Sequence, residues 1–447
     1  MYTSYFPLTY YFYPLLELEL KAHPDQARFA SSFEKSVDKS TETLLYVHIP
    51  YCQDMCRFCP FHVRVDKDLS VYERYTNALC LDIVNTSRKP RAESSLIKAI
   101  YFGGGSPSVL SPQQIAKILS TIKTNFNISD DVEISFEGEP KTLGDPYRLE
   151  VLKEHGVGRI SFGLQTYDEN LRTIFNIAAT LQDIETLRRN SQEFRFDEVN
   201  VDMMYNLPGQ DINHVRNDIR RFLQDDFDSV DYYNLHYFAF PPKFVREMDE
   251  GKVPPKPSDD IMIALFEEIK SGLTSNGYNN VADQVYSKKE KVCEYFRLLW
   301  GGGSGDHSAE TLAVGSSARG YIDGFSYMKY GNVNKYMESV EAGDDAIEKI
   351  SSRLSKPENR GAVLFPKFLQ IDKQHELALN TISPKLLADW LSSGLIFEES
   401  NTFKVSEKGK VWTNNMTVDL FEAAQRDVGD RAVIALSNKA GTRTGNF

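Results

Sequence analysis

Cys52, Cys56 and Cys59 place three thiols within eight residues of a 447-residue chain that holds five cysteines in all. Thiolates are the usual protein ligands of iron–sulfur clusters, and full ligation of a four-iron four-sulfur cluster takes four of them. Three from one loop hold such a cluster and leave one iron open to a small molecule. The other two, Cys80 and Cys293, lie far off in sequence. A structural zinc site is marked by paired CxxC units or cysteine–histidine pairs at set spacings, and His62 is the single nearby candidate. An odd cysteine count in a long chain without a secretory signal points to a reducing compartment rather than a disulfide framework.

The elements that must position this loop are legible as a repeat. From about residue 44 a short apolar stretch alternates with a longer amphipathic one. Strands are expected near 44–49, 97–102, 132–137, 159–164, 198–203 and 229–237, with helices such as 111–124 and 212–223 between them. Repeated βα units predict a mostly parallel sheet covered by helices, and six of them suit a partial barrel. In such barrels chemistry gathers at the C-terminal ends of the strands. The polar residues follow that rule: the cysteine loop after the first strand, GGGSP at 103–107 after the second, Glu137 and Glu139 after the third, Gln165 after the fourth, and Asp202 near the end of the fifth.

Composition sets the class. With 41% hydrophobic and 26% charged residues and a mean hydropathy of -0.40, the chain reads as a globular protein large enough for a catalytic domain and appendages. No apolar run reaches the length of a membrane span, and the first residues lack a signal-peptide pattern, so a cytoplasmic protein with no membrane association is expected. A net charge of -12 argues against nucleic acid as a partner.

The expected layout is an aromatic N-terminal arm over 1–43 packing on a partial barrel at 44–240, followed by a barrel extension and substrate-covering segment at 241–354. A winged-helix-like α+β module at 355–425, built on a helix at 386–395 and a hairpin at 396–405, and a frayed tail at 426–447 complete it. Glycines at 301, 302, 303 and 305 mark a flexible loop.

The CxxxCxxC loop after a first strand and the glycine-rich loop after the second resemble the radical S-adenosylmethionine (SAM) superfamily. The run YVHIPYCQDMCRFC at 46–59 is similar to the signature of oxygen-independent coproporphyrinogen III oxidase and its HemN-like relatives, and the likeness continues through YFGGGSP at 101–107, RISFGLQ at 159–165 and VDMMYNLPG at 201–209, with a weaker echo at 312–318 and in the C-terminal module. The resemblance implies an α/β partial (β/α)6 radical SAM barrel carrying a 4Fe-4S cluster and two SAM molecules side by side. It implies reductive cleavage of SAM to a 5′-deoxyadenosyl radical. Carried over residue by residue, Cys52, Cys56 and Cys59 ligate the cluster and Tyr46 touches the first SAM. Gly104, Gly105 and Ser106 line both cofactors, Glu137 binds the first, and Phe58, Gln165 and Asp202 face the second. Bland alternatives stand beside these: Glu137 as a solvated strand end, Asp202 as a helix cap, Tyr46 and Phe58 as packing aromatics. His48 reads as a structural hydrogen-bonding residue.

Two departures bear on the branch. Coproporphyrinogen oxidases carry a further cysteine soon after the third, absent here, and an arginine after an asparagine in the helix following the fourth strand, where this chain has Asn176 and Ile177. A porphyrin propionate calls for such a base. The reading drawn is the methyltransferase or cyclopropanase branch, class C, in which a second SAM gives a methylene unit to an sp2 carbon of a small-molecule acceptor, with flavodoxin or ferredoxin as electron donor. The alternatives are a heme-utilisation enzyme that opens the tetrapyrrole ring, the oxidase itself, and a non-catalytic heme carrier. Substrate contacts are expected from residues 236–242 and the aromatic arm.

Overall fold

The computed structural model describes residues 2–438 except 3–4, 7–11, 39–40, 60, 62, 67, 236, 238–239, 241, 301–308, 376–378 and 380–384. His62, His236 and the glycines at 301–305 therefore lie outside the described residues, as does 439–447 of the expected tail.

All six expected strands form, parallel and in sequence order: β2 (Glu42–Ile49), β3 (Leu96–Gly104), β4 (Ile128–Gly138), β5 (Arg159–Gln165), β6 (Glu198–Tyr205) and β7 (Ser229–Asn234). The last stops at Asn234, three residues short of the expected end. Both faces of these strands are covered, so their sequences are apolar runs broken by polar residues at period two on the concave face. The helices between them are set by local chemistry. Ser111 with Gln114 caps the helix Pro112–Asn125, and Thr180 with Asp183 caps Leu181–Phe194. Each pair satisfies donors that a helix leaves open at its start.

The sheet is larger than six strands. On the β7 edge it continues through β9 (Val285–Ser287) to β8 (Asn279–Ala282). On the other side β10 (Glu310–Val314) lies parallel to β2, a seventh parallel strand built from the weak echo at 312–318. Then come β11 (Arg319–Ile322), β12 (Phe325–Lys329), β13 (Ile347–Ile350) and β1 (Leu18–Glu19), all antiparallel. The sheet ends in two different strands, so the barrel is open. The short helix Glu294–Leu299 plugs its interior: backbone N–H groups of Glu294 and Tyr295 donate to Glu133 (3.1 and 3.4 Å), and Tyr295 stacks on Tyr101 with ring centres 3.6 Å apart.

The C-terminal module has a helix Leu386–Ser392 and a three-stranded sheet of β14 (Gln370–Asp372), β15 (Ile396–Glu399) and β16 (Thr402–Val405). A buried ion pair, Lys367 to Asp283 at 2.6 Å, fastens it to the end of the β8 segment, with the Thr413 hydroxyl on the same carboxylate. The N-terminal arm divides its contacts. Phe29 packs on Phe325 and Tyr327 of the sheet, while Tyr2, Phe6 and Leu15 bond to Asp419, Asn415 and Gln425 of the C-terminal segment. Among the described residues no helix is long and apolar enough to cross a membrane.

Candidate active site

The cysteine loop leaves β2 at the barrel mouth and is pinned at both ends. The Arg64 N–H donates to Pro50 O (2.7 Å) and the Cys52 N–H to Arg64 O (3.1 Å), closing the loop on itself. Its middle is clamped to the turn after β5. The Asn176 amide donates to Met55 O at 2.9 Å and the Arg57 N–H to Phe175 O at 3.0 Å, with Asn176 in the left-handed region at φ 54°. None of the five cysteines forms a disulfide. Burial pushes the Cys56 thiol up to about 12, with neighbouring Cys59 and Glu139 adding to it, and the Cys52 thiol rises for the same reasons. Three thiols that oppose one another's ionisation form a donor set suited to a cationic centre. Among the described residues no three His, Cys, Asp or Glu side chains converge on one point as a single metal ion requires. A cluster, which spreads its ligands over several irons, has no such requirement.

The glycine loop after β3 lies directly against the cysteine loop. Gly105 N–H donates to Ile49 O (2.8 Å) and Ser106 N–H to Tyr51 O (2.7 Å). A Cβ at Gly105 would stand 2.5 Å from Tyr51 O and 3.0 Å from the Cys52 sulfur; one at Gly104, which has φ 115°, would meet the His48 ring at 2.6 Å. Only glycine permits this approach, and the bare backbone is the kind of surface on which a cofactor rests. The Ser106 hydroxyl is turned away from the mouth: it lies 3.1 Å from Ser108 and accepts from Glu139 N–H at 2.9 Å. Any contact it makes with a cofactor is through its backbone.

Of the remaining expected residues, Tyr46, Glu137, Gln165 and Asp202 lie on the barrel strands and Phe58 packs at the mouth. Tyr46 stacks loosely on Tyr101 (6.2 Å) and its hydroxyl is 3.2 Å from His48 Nδ1, so His48 takes the hydrogen-bonding role expected for it. Glu137 accepts from the Tyr101 hydroxyl and from the Gly104 backbone, and burial raises its carboxyl to about 7 despite those bonds and Arg159. Gln165, with φ 71°, folds its amide back over Gly163, which pairs in register with Asp202. Asp202 accepts from Ser161 (3.4 Å) and Asn200 (3.3 Å), and burial with the neighbouring Asp231 raises it well above the usual range. Phe58 packs edge-on to Phe175 at 6.0 Å, at the border of an apolar cluster with Phe240 and Phe244.

Several interior residues were not singled out from the sequence: Tyr101, Arg159, Asn200, Asp231 and Tyr295; Glu139 was noted only by its place after the third strand. A signal was present for most. Arg159, Ser161, Gly163 and Gln165 alternate along β5, as do Glu198, Asn200 and Asp202 along β6 and Ser229, Asp231 and Tyr233 along β7. Polar residues at period two in an otherwise buried strand mark the face that lines a cavity. Glu139 keeps one buried oxygen without a hydrogen-bond partner and is raised by burial to about 7.

An open parallel barrel with a three-thiol loop and a glycine cradle at its mouth defines a class, and residues 46–222 match the family model described as the Radical SAM superfamily. That match runs from β2 through β6, and the likeness of the chain as a whole is to HemN-like proteins. It is 26% identical over 385 residues to the heme chaperone HemW of Bacillus subtilis (strain 168), spanning 83% of this chain and 97% of that one. It is 26% identical over 411 residues to anaerobilin synthase of Escherichia coli O157:H7, spanning 89% and 88%. The solved structure of coproporphyrinogen III oxidase (HemN) from Escherichia coli superposes with a TM-score of 0.77 at 21% identity, over 92% of this chain and 96% of that one, and so shares the fold. The matched model describes proteins that use a 4Fe-4S cluster and SAM, and the thiol set and the glycine cradle of this chain fit both.

Proposed function

We propose that this chain is a radical SAM enzyme that transfers a one-carbon unit from a second SAM to an sp2 carbon of a small-molecule acceptor. When bound, the cluster supplies the electron that splits the first SAM, and the second SAM supplies the carbon. The protein's own part is to hold, align and keep dry. Cys52, Cys56 and Cys59 hold the cluster. The backbone of Gly104 and Gly105, with Tyr46 and Glu137, seats the first SAM, and Gln165 and Asp202 seat the second.

The observation that carries this reading over decarboxylation is the wall of the mouth. Where the resemblance puts an arginine for a substrate carboxylate, Ile177 packs beside Phe58, Phe175, Phe240 and Phe244. The rim cation Arg57 is held by Glu247 at 3.3 Å. An apolar mouth suits an unsaturated, uncharged acceptor and disfavours a propionate left without a partner. A second reading shares the same chemistry and differs in the acceptor: opening of a tetrapyrrole ring, favoured by the match to anaerobilin synthase across 89% of this chain. A flavodoxin or ferredoxin is the class of donor either reading needs.

The test is product analysis after anaerobic reconstitution and reduction. Carbon transfer yields 5′-deoxyadenosine together with S-adenosylhomocysteine. Deoxyadenosine alone supports hydrogen abstraction from substrate and overturns the proposal; neither product supports a carrier. Supplying heme as acceptor separates the second reading, which requires a ring-opened product.

A further inference from the structure

The concave faces of β4, β5, β6 and β7 bring four carboxyls, Glu137, Glu198, Asp202 and Asp231, around one guanidinium, that of Arg159. The Arg159 Nε bonds Glu198 at 3.0 Å and its Nη2 stands 3.9 Å from Asp231. Lys289, at the bottom rim, reaches Glu198 at 2.9 Å. Arg319, on β11, bears on Tyr46. Glu198 lies nearest to both Arg159 and Lys289, and they hold it near 2 although burial alone would raise it.

Apart from the 3.9 Å approach of Arg159 Nη2 to Asp231, Asp202 and Asp231 are left to each other. They are register partners on β6 and β7 and are joined by a single side chain, whose amide nitrogen, Asn200 Nδ2, is 3.3 Å from Asp202 Oδ1, 3.2 Å from Asp231 Oδ2 and 2.9 Å from Ser161 Oγ. Asn200 Oδ1 faces the Ser229 hydroxyl at 2.7 Å, whose single hydrogen Glu198 also draws on at 2.7 Å. Two N–H hydrogens serve three acceptors. The Tyr233 hydroxyl adds one weak bond to Asp231 Oδ2 at 3.3 Å, and Asp231 Oδ1 is buried without a partner. Tyr101 and Tyr295 from β3 and the plug helix, and Cys293 beside Arg159, bring no further cation to the group. In a dry cavity two adjacent carboxylates with so little compensation retain a proton between them.

We propose that Asp231 is a positioning residue for the second cofactor: paired with Asp202 across adjacent strands, it keeps one proton on the pair, so that Asp202 presents a hydroxyl donor as well as an acceptor to the nucleoside beside it. This rests on the reading that Asp202 faces a second SAM. Burial and mutual repulsion raise both groups, Asp231 to about 6 and Asp202 well above its usual range, which agrees with one proton held by the pair.

The test uses reconstituted wild type, Asp231→Asn and Asp202→Asn between pH 6 and 9. Labelled SAM binding is followed by equilibrium dialysis, and the protonated-carboxyl stretch by infrared spectroscopy without SAM. Wild type should lose affinity for the second equivalent as pH rises and the carboxyl band fades. Asp231→Asn removes the like charge, so both midpoints should move down by a unit or more, and second-site affinity at pH 8 should fall about tenfold while affinity at pH 6 is kept. Asp202→Asn should remove the pair's component of the band and leave those of Glu137 and Glu139, whose carboxyls are raised to about 7. Profiles that superimpose on wild type, or a loss equal at every pH, overturn the proposal with the two-cofactor reading intact. An infrared midpoint that shifts in a protein whose wild type takes up one SAM overturns the two-cofactor reading and the ligand assigned here, and leaves the shared proton.

Discussion

At the scale of single residues, the three thiols and the buried acids carry the chemistry, and each makes a separable prediction. Replacing Cys52, Cys56 or Cys59 by Ala should abolish the four-iron absorbance and deoxyadenosine formation; deoxyadenosine production by any of the three variants would refute the assigned ligand set. Glu137 concerns stability. Its carboxyl is raised from 4.5 to about 7, by burial first. A raised acid holds its proton more tightly folded than unfolded, so stability is highest at low pH, declines as pH climbs from about 4.5 to about 7, and is level above. Glu137→Gln is neutral throughout and removes that slope. Relative to wild type it should gain up to about 3 kcal/mol between pH 4.5 and 8, read from urea unfolding without SAM.

At the scale of elements, the notable device is the clamp between the turn after β5 and the cysteine loop. Asn176→Gly keeps the left-handed backbone and deletes only the side-chain bond to Met55, a change of about 1 kcal/mol. The expected outcome is several-fold faster loss of iron to a chelator with almost unchanged melting. Equal iron loss in variant and wild type would show that the cluster loop does not depend on the clamp. This element also shows where sequence reading stops. Asn176 was visible as the asparagine before Ile177, the residue that departs from a family pattern, whereas its bond to Met55, 121 residues away, has no local signature. The six parallel strands were legible because burial on both faces leaves an apolar run, and the order of polar strand ends was legible because βα units direct their loops to one mouth. Asp231 was within reach through its period-two spacing, yet its meaning depends on the Asn200 amide between two strands. The edge strands β11 to β13 escaped because short antiparallel strands in a segment punctuated by glycines carry no βα rhythm.

At the scale of the whole molecule, the C-terminal module is attached by charge as well as by apolar packing. Lys367 and Asp283 have side chains only 1% and 6% exposed, at 2.6 Å. Removing one partner of such a pair leaves the other buried and charged, at a cost of about 3 to 5 kcal/mol. Lys367→Ala should therefore expose residues 355–420 to proteolysis well before the barrel unfolds, and adding Asp283→Asn should recover part of the loss. Equal protection in the single variant and wild type would locate the attachment elsewhere.

The knitting of Tyr2 to Asp419, across 417 positions of sequence, has a consequence for biogenesis. The aromatic segment around Tyr2 finds these partners only after residues 415–425 have been made. Until then it is a sticky stretch with nowhere to dock, and a cleavage that removes Tyr2 and Phe6 should lower the yield of folded chains while sparing the catalytic parts.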